Sequence, residues 1–161
     1  MLRVRDVMRT QFYSIDPADT MFSAAQQLML RNVESLMVVD ESGELKGIVT
    51  ERDVLLAALP QDQDVRADQP LLRMVDLMDI ARERFDVPVS ELMTERVRAI
   101  SPGTPLTEAL DAMLHQRLRR LAVVDPATNE VAGVISQRDV LSALVIGNPR
   151  LAARQTGRIR V

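Results

Sequence analysis

The sequence contains one nine-residue stretch twice, first as GIVTERDVL at Gly47–Leu55 and again as GVISQRDVL at Gly133–Leu141. Each copy has a glycine and two apolar residues, then a hydroxyl residue, two polar residues and an aspartate. An apolar run that ends at Thr or Ser predicts a buried strand leading into a capped helix. The recurrence predicts a chain built from two similar motifs.

Three more blocks recur in the same order and extend the repeat over most of the chain. They are DVM and ELM at Asp6 and Glu91, SIDP and AISP at Ser14 and Ala99, and LMVVD and LAVVD at Leu36 and Leu121. The offset is 85 residues in these blocks and 86 in the glycine-led stretch. Four matched blocks in one order exclude a chance similarity.

Both copies predict the same series of elements: a helical turn at DVM or ELM, a strand, a helix, two strands and a final helix. The strands are expected at Phe12–Ile15, Leu36–Val39 and Leu45–Val49, and at Val97–Ile100, Leu121–Val124 and Val131–Ile135. The first helices carry apolar residues at three- and four-residue spacing, namely Phe22, Ala25, Leu28 and Met29, and Leu106, Ala109, Leu110 and Met113. The final helices begin at Thr50 and Ser136.

These elements predict an α/β fold, an α+β sandwich of two β-α-β-β-α motifs packed about a pseudo-twofold axis. One motif alone cannot bury both its sheet and its helices. We place a first motif at 1–59, a linker and connector helix at 60–86, a second motif at 87–147 and a basic tail at 148–161. The connector helix, Leu71–Phe85, carries one apolar stripe that packs on the core or on a second copy; the stripe is Leu71, Met74, Val75 and Met78. The tail is either solvated or a contact for phosphate or an acidic partner.

The composition excludes several kinds of site. The chain has no cysteine and one histidine, His115, which excludes disulfides, thiolate metal sites and His-rich metal sites. Its net charge of −3 gives no broad basic surface for nucleic acid. Its apolar runs stop far short of the roughly 20 residues that cross a bilayer. We therefore predict a cytoplasmic protein that binds neither membranes nor nucleic acid and holds no metal.

The Thr50-x-x-Asp53 and Ser136-x-x-Asp139 pairs admit two interpretations. In the first, each is a capping box, in which the hydroxyl accepts the third helical amide and the acid favours the helix dipole. In the second, the free amides and the hydroxyl hold a phosphate while the carboxylate holds a ribose diol. Gly47 and Gly133 leave room for a ligand or for a crossing strand.

The two copies resemble a tandem pair of CBS (cystathionine-β-synthase) motifs, which together form a Bateman module. The resemblance rests on the VVD strand ends and on the signature Gly, two apolar residues, Ser or Thr, two further residues and Asp. It covers about 4–59 and 87–145. It implies two clefts between the motifs that bind AMP, ADP, ATP or S-adenosylmethionine, and a regulatory role in a stand-alone module.

The resemblance also implies clefts that take residues from both motifs. One cleft combines Thr50, Asp53, Thr94, Arg98 and Arg120, and the other combines Ser136, Asp139, Thr10, Ser14 and Ser35. Tyr13 either stacks on the adenine or belongs to the core. Two arginines in the first cleft predict a preference for di- or triphosphates there, while the hydroxyls of the second suit AMP or an uncharged adenosyl group.

We therefore predict a non-catalytic module that senses adenosine nucleotides, needs no cofactor beyond that ligand, forms a homodimer and regulates an unknown protein. The alternatives are a ligand-free dimerisation scaffold and a module for S-adenosylmethionine. An enzyme is disfavoured because the chain has no nucleophile paired with a base.

Overall fold

The computed structural model describes residues 1–58, 74–95 and 97–146. For residues 74–77 and 80 it describes the backbone but not the side chains. The first copy contains β1 Ser14–Ile15, α1 Met21–Arg31, β2 Ser35–Val39, β3 Leu45–Thr50 and α2 Glu51–Ala57. Then come α3 Met74–Arg84 and α4 Val89–Leu92. The second copy contains β4 Ala99–Ile100, α5 Leu106–His115, β5 Arg120–Val124, β6 Val131–Ser136 and α6 Gln137–Ile146. A 3-10 turn at Val4–Asp6 precedes them all.

Both copies follow the predicted order of strand, helix, strand, strand and helix, so the mixed α/β class is confirmed. Each copy forms a three-stranded sheet, in the orders β1-β2-β3 and β4-β5-β6. The outer strands β1 and β4 lie parallel to β2 and β5 and are only two residues long, shorter than predicted. The predicted linker at 60–70, Leu71 and the tail at 148–161 lie outside the described residues.

The chain divides into two compact units, and each unit mixes both copies of the repeat. The terminal unit comprises Met1–Phe12, Glu41–Leu45 and Arg96–Val161, and the central unit comprises Tyr13–Asp40 and Lys46–Glu95. The short segment that precedes the first strand of each copy therefore packs on the body of the other copy. We call this arrangement the segment exchange.

The segment exchange completes both cores and both first helices. Val4 and Val7 are buried against α5 and β5 in the terminal unit, and Val89 is buried against α1 in the central unit. The backbone carbonyls of the exchanged segments also accept hydrogen bonds from amides at the helix starts, because those amides have no partner within their own helix. Leu106 N donates to the carbonyl of Leu2 at 3.0 Å, and Met21 N donates to that of Val87 at 2.9 Å.

The predicted buried face of α1 is wrong by one position at both ends. The helix buries Met21, Ala24 and Leu28, whereas Phe22 is 54% exposed and Met29 is 79% exposed. The residues Met21, Ala24 and Leu28 have the same helical spacing as the predicted stripe, so periodicity alone allowed either face. In α5 the prediction holds, because Leu106, Ala109 and Met113 are buried and Leu110 packs against the same core.

None of the helices in the described part of the chain combines the length and apolar composition needed to cross a bilayer.

The corrected face of α1 predicts opposite outcomes for two methionines on the same helix. Met21→Ala removes a fully buried side chain and should lower the free energy of unfolding by about 2–5 kcal/mol. Met29→Ala, at an exposed position, should change it by less than about 0.5 kcal/mol. Urea unfolding of both variants measures the difference, and equal effects would contradict the assigned face.

Candidate functional site

The start of α2 is held by a complete capping box. The Thr50 hydroxyl accepts the amide of Asp53 at 3.3 Å and donates to Asp53 Oδ2 at 2.8 Å. The backbone amide of Thr50 donates to the same Oδ2, also at 2.8 Å. The structure therefore shows the capping arrangement, with one carboxylate oxygen of Asp53 fully engaged by its own helix start.

The start of α6 repeats this arrangement in a more buried form. Ser136 N and Ser136 Oγ donate to Asp139 Oδ2 at 2.8 and 2.6 Å, and Asp139 N donates to Ser136 Oγ at 3.2 Å. Ser136 and Asp139 are 6% and 7% exposed. A buried carboxylate must keep its hydrogen bonds, so this oxygen is fixed in place.

The second carboxylate oxygen of each aspartate faces the exchanged segment of the other copy. In the central unit the Thr94 hydroxyl lies 3.4 Å from Asp53 Oδ1. In the terminal unit Arg9 Nε lies 3.3 Å from Asp139 Oδ1 and forms an ion pair with it. Each aspartate therefore lies beside a residue of the other motif, and the two aspartates have different chemical groups as neighbours.

Both segments are held against a strand by two backbone hydrogen bonds. Arg9 and Val134 exchange bonds at 2.9 Å in both directions, and Thr94 and Ile48 do so at 2.9 and 3.0 Å. The signature glycine lies beneath each crossing. A Cβ at Gly133 would clash with the Arg9 carbonyl oxygen, and one at Gly47 would lie 2.8 Å from that of Thr94. The glycines therefore make room for a crossing segment.

The residue equivalent to Thr94 is Arg9, while the role expected for Thr10 stays a prediction. The constant offset of 85 residues from Asp6 to Pro17 pairs Thr94 with Arg9, and the structure gives Arg9 and Thr94 equivalent bridges and equivalent contacts. Thr10 is exposed beside Arg9. The prediction that the Asp139 site offers only hydroxyls was therefore incomplete, because Arg9 places a guanidinium there. The offset was the signal that could have identified Arg9.

The remaining predicted site residues lie near the strands that begin each sheet. Tyr13, Ser14 and Ser35 belong to the central unit, and Ser14 lies opposite Met37 in the β1/β2 pairing. Tyr13 is 44% exposed, and the Arg31 guanidinium lies 4.4 Å from the centre of its ring, so Tyr13 is not a core residue.

Arg98 and Arg120 belong to the terminal unit. Arg98 is exposed just before β4, and Arg120 begins β5 directly opposite Ser136 of β6. Side chains directly opposite each other in a sheet project from the same face. The grouping of Arg98 and Arg120 with Asp53 joins residues of different units and stays a prediction.

Within the described ranges, no three His, Asp or Glu side chains come together in a way that could hold a metal ion. Each of the two sites contains a carboxylate that its helix cap holds in place. One oxygen of that carboxylate is directed at a neighbouring polar group. Such an oxygen accepts hydrogen bonds from hydroxyls, and in the terminal unit a guanidinium beside it can bind an anion.

The family model for the CBS domain matches residues 4–60 and 89–146, and the chain belongs to this family. Modules of this kind are generally regulatory and non-catalytic. Among curated proteins, the CBS domain-containing protein YhcV of Bacillus subtilis is 30% identical over 140 residues, which are 87% of this chain and 84% of that protein.

Two solved structures share the fold and contain adenosine ligands. CBSX2 of Arabidopsis thaliana, in complex with AMP, has a TM-score of 0.70 and 23% identity over 92% of this chain and 100% of its own. The CBS domain pair of protein MJ0100, in complex with 5'-methylthioadenosine and S-adenosyl-L-methionine, has a TM-score of 0.64 and 22% identity, over 91% of this chain and 98% of its own.

The close approach at Gly133 predicts a specific loss of stability. Gly133→Ala places a methyl group against the Arg9 backbone, which cannot move without breaking its two hydrogen bonds. We expect a loss of about 1–3 kcal/mol in the free energy of unfolding, as for other overpacked sites.

Gly103→Ala is the matched control, because a Cβ there meets only Ser101 Oγ, at 3.5 Å. Its effect in urea unfolding should stay within about 0.5 kcal/mol. Equal stability of the two alanine variants would show that the crossing segment does not constrain residue 133.

Proposed function

We propose that the protein is a non-catalytic sensor of adenosine nucleotides that binds AMP, ADP or ATP at Asp53 and Asp139. Each binding site lies where the exchanged segment of one motif meets the helix that carries the signature aspartate of the other, which is α2 for Asp53 and α6 for Asp139. Ligand binding changes the protein's contacts with a regulated partner. Arg98, Arg120, Tyr13, Ser14 and Ser35 are proposed as further ligand contacts, and a cytoplasmic location gives access to the nucleotides.

The repeated geometry of the two carboxylates carries this proposal. In both units Oδ2 is fixed by the helix cap and Oδ1 faces a polar group of the other motif. A ribose diol presents two hydroxyl donors, and a fixed carboxylate is the acceptor that dinucleotide-binding proteins use for it. The cap uses Oδ2, which leaves Oδ1 of each carboxylate as the acceptor for a ribose diol in this proposal.

The adenosine ligands of two neighbours support the ligand class. CBSX2 is in complex with AMP, and the MJ0100 domain pair is in complex with 5'-methylthioadenosine and S-adenosyl-L-methionine. These ligands share the adenosine group and differ in what the 5' carbon carries. The shared group is therefore the part that a conserved fold would recognise.

Adenosine nucleotides should raise the melting temperature of the protein, because a ligand that binds only the folded state stabilises it. At 100 times the dissociation constant the gain is about 2.7 kcal/mol. Differential scanning fluorimetry with AMP, ADP, ATP and S-adenosylmethionine, beside GTP and CTP, measures the preference for adenine.

The double variant Asp53→Ala with Asp139→Ala is the control, and its ligand shift is compared with its own ligand-free melting temperature. We expect that shift to disappear. Equal shifts with GTP and CTP would reject adenine recognition. A wild-type protein that responds to none of these ligands would favour the second candidate function, a dimerisation scaffold.

We propose further that two copies of the chain associate through α6. This helix exposes Leu141, Leu144 and Val145, which are 60%, 64% and 75% exposed. Their spacing of three and four residues places them on one face of the helix. Leu55 of α2 is the equivalent of Leu141 in the repeat, and it is 67% exposed. Since most symmetric dimers bury the same surface of both subunits, an apolar helix face suits a second copy of this chain.

Light scattering coupled to gel filtration should give twice the 18.0 kDa mass of the chain. Leu144→Glu places a charge in the apolar face and should shift the protein to the monomer, whereas Leu2→Glu, outside α6, should not. A wild-type monomer at micromolar concentration would contradict the dimer.

A further inference from the structure

The two sites differ at one equivalent position of the repeat. Asp139 Oδ1 faces the guanidinium of Arg9 at 3.3 Å, whereas Asp53 Oδ1 faces the hydroxyl of Thr94 at 3.4 Å. The backbones of Arg9 and Thr94 are fixed by the same pair of hydrogen bonds to a strand. The difference in the group that faces Oδ1 therefore comes from the side chain at this position.

The contact between Arg9 and Asp139 is an ion pair without an aligned hydrogen bond. Arg9 Nε is buried and has no hydrogen-bond partner among the described residues, although it lies within 3.3 Å of the carboxylate. The Arg9 side chain is 35% exposed and that of Asp139 is 9% exposed. The guanidinium can therefore leave the carboxylate toward solvent, whereas the carboxylate is held in place by Ser136.

A ligand that uses Asp139 for its ribose must take over Oδ1 from Arg9. A neutral diol donates hydrogen bonds to Oδ1 but leaves the guanidinium without a counterion, which is unfavourable in a partly buried site. A phosphate on the same ligand supplies a new anion, and arginine binds phosphate through paired hydrogen bonds. Arg9 then exchanges one anion for another.

We propose that Arg9 is the specificity-determining residue of the Asp139 site and makes it selective for adenosine ligands that carry a 5'-phosphate. The Asp53 site, with Thr94 at this position, binds phosphorylated and uncharged adenosine ligands with a smaller difference. This inference rests on the proposed function, because it takes Asp139 as the ribose acceptor. It narrows the preference expected from the sequence, where the second cleft was predicted to suit AMP or an uncharged adenosyl group.

The test compares AMP with 5'-methylthioadenosine, which lacks the phosphate, by isothermal titration calorimetry on the full chain. Asp53→Ala isolates the Asp139 site, and Asp139→Ala isolates the Asp53 site. In the Asp53→Ala background, Arg9→Thr should weaken AMP binding by about 10- to 150-fold, the range for one hydrogen bond to a charged group. Binding of 5'-methylthioadenosine should stay constant or become tighter.

The reciprocal variant extends the test to the other site. In the Asp139→Ala background, Thr94→Arg should increase the preference for AMP over 5'-methylthioadenosine. Arg9→Gln keeps a long polar side chain without the charge, and it should behave like Arg9→Thr even if the smaller residue lowers stability. Arg5→Thr removes the same charge from an exposed position of the same segment, and the AMP preference should not change.

Two results would overturn the proposal. One is an unchanged ratio of AMP to 5'-methylthioadenosine affinity in both Arg9 variants. The other is an equal loss of AMP affinity in Arg5→Thr, which would indicate a general effect of charge. If the wild-type protein binds neither ligand, the proposed function fails and this inference fails with it. Binding of both ligands with an unchanged ratio rejects the role of Arg9 alone.

Discussion

The close crossing of a backbone segment over a strand, once in each unit, is the constraint on which both candidate sites depend. Arg9 crosses over Gly133 and Thr94 crosses over Gly47, each held by two backbone hydrogen bonds. The crossing has three consequences at once. It completes the core with a valine from the other copy, satisfies amides at the start of a helix, and places a side chain beside the signature aspartate. A residue with a Cβ under the crossing would disturb all three.

Much of the fold could be predicted from the sequence because the repeat supplies the same information twice. The order of strands and helices along the chain, both signature helix starts and the buried face of α5 are as predicted. The face of α1 was wrong, because Met21 and Phe22 are both apolar and periodicity cannot choose between adjacent stripes. Neither copy of the repeat, taken alone, has a sequence pattern that predicts the segment exchange. It is a long-range contact, and only the glycine, which tolerates a close approach, indicated that something passes there.

The two sites show how a duplicated motif can acquire two chemistries through one side chain. The capping boxes are nearly the same in both copies, with hydrogen-bond distances that differ by at most 0.2 Å at equivalent atoms. The surroundings of the second oxygen differ in formal charge, since one faces a guanidinium and the other a hydroxyl. Electrostatic differences of this kind act on binding partners more than on the fold, because the backbone hydrogen bonds are common to both.

The segment exchange also sets an order of assembly during synthesis. All parts of the central unit lie within residues 13–95, so it has its full sequence before β6 is synthesised. The terminal unit needs residues 1–12 together with β6, which ends at Ser136. Residues 1–12 are therefore synthesised well before the strand on which they pack, and until then Val4 and Val7 lack the core that buries them. Contacts between such distant parts of a chain form slowly, because loop closure must come before they contribute. The two valines of this segment are thus apolar groups that need protection from aggregation until β6 has been made.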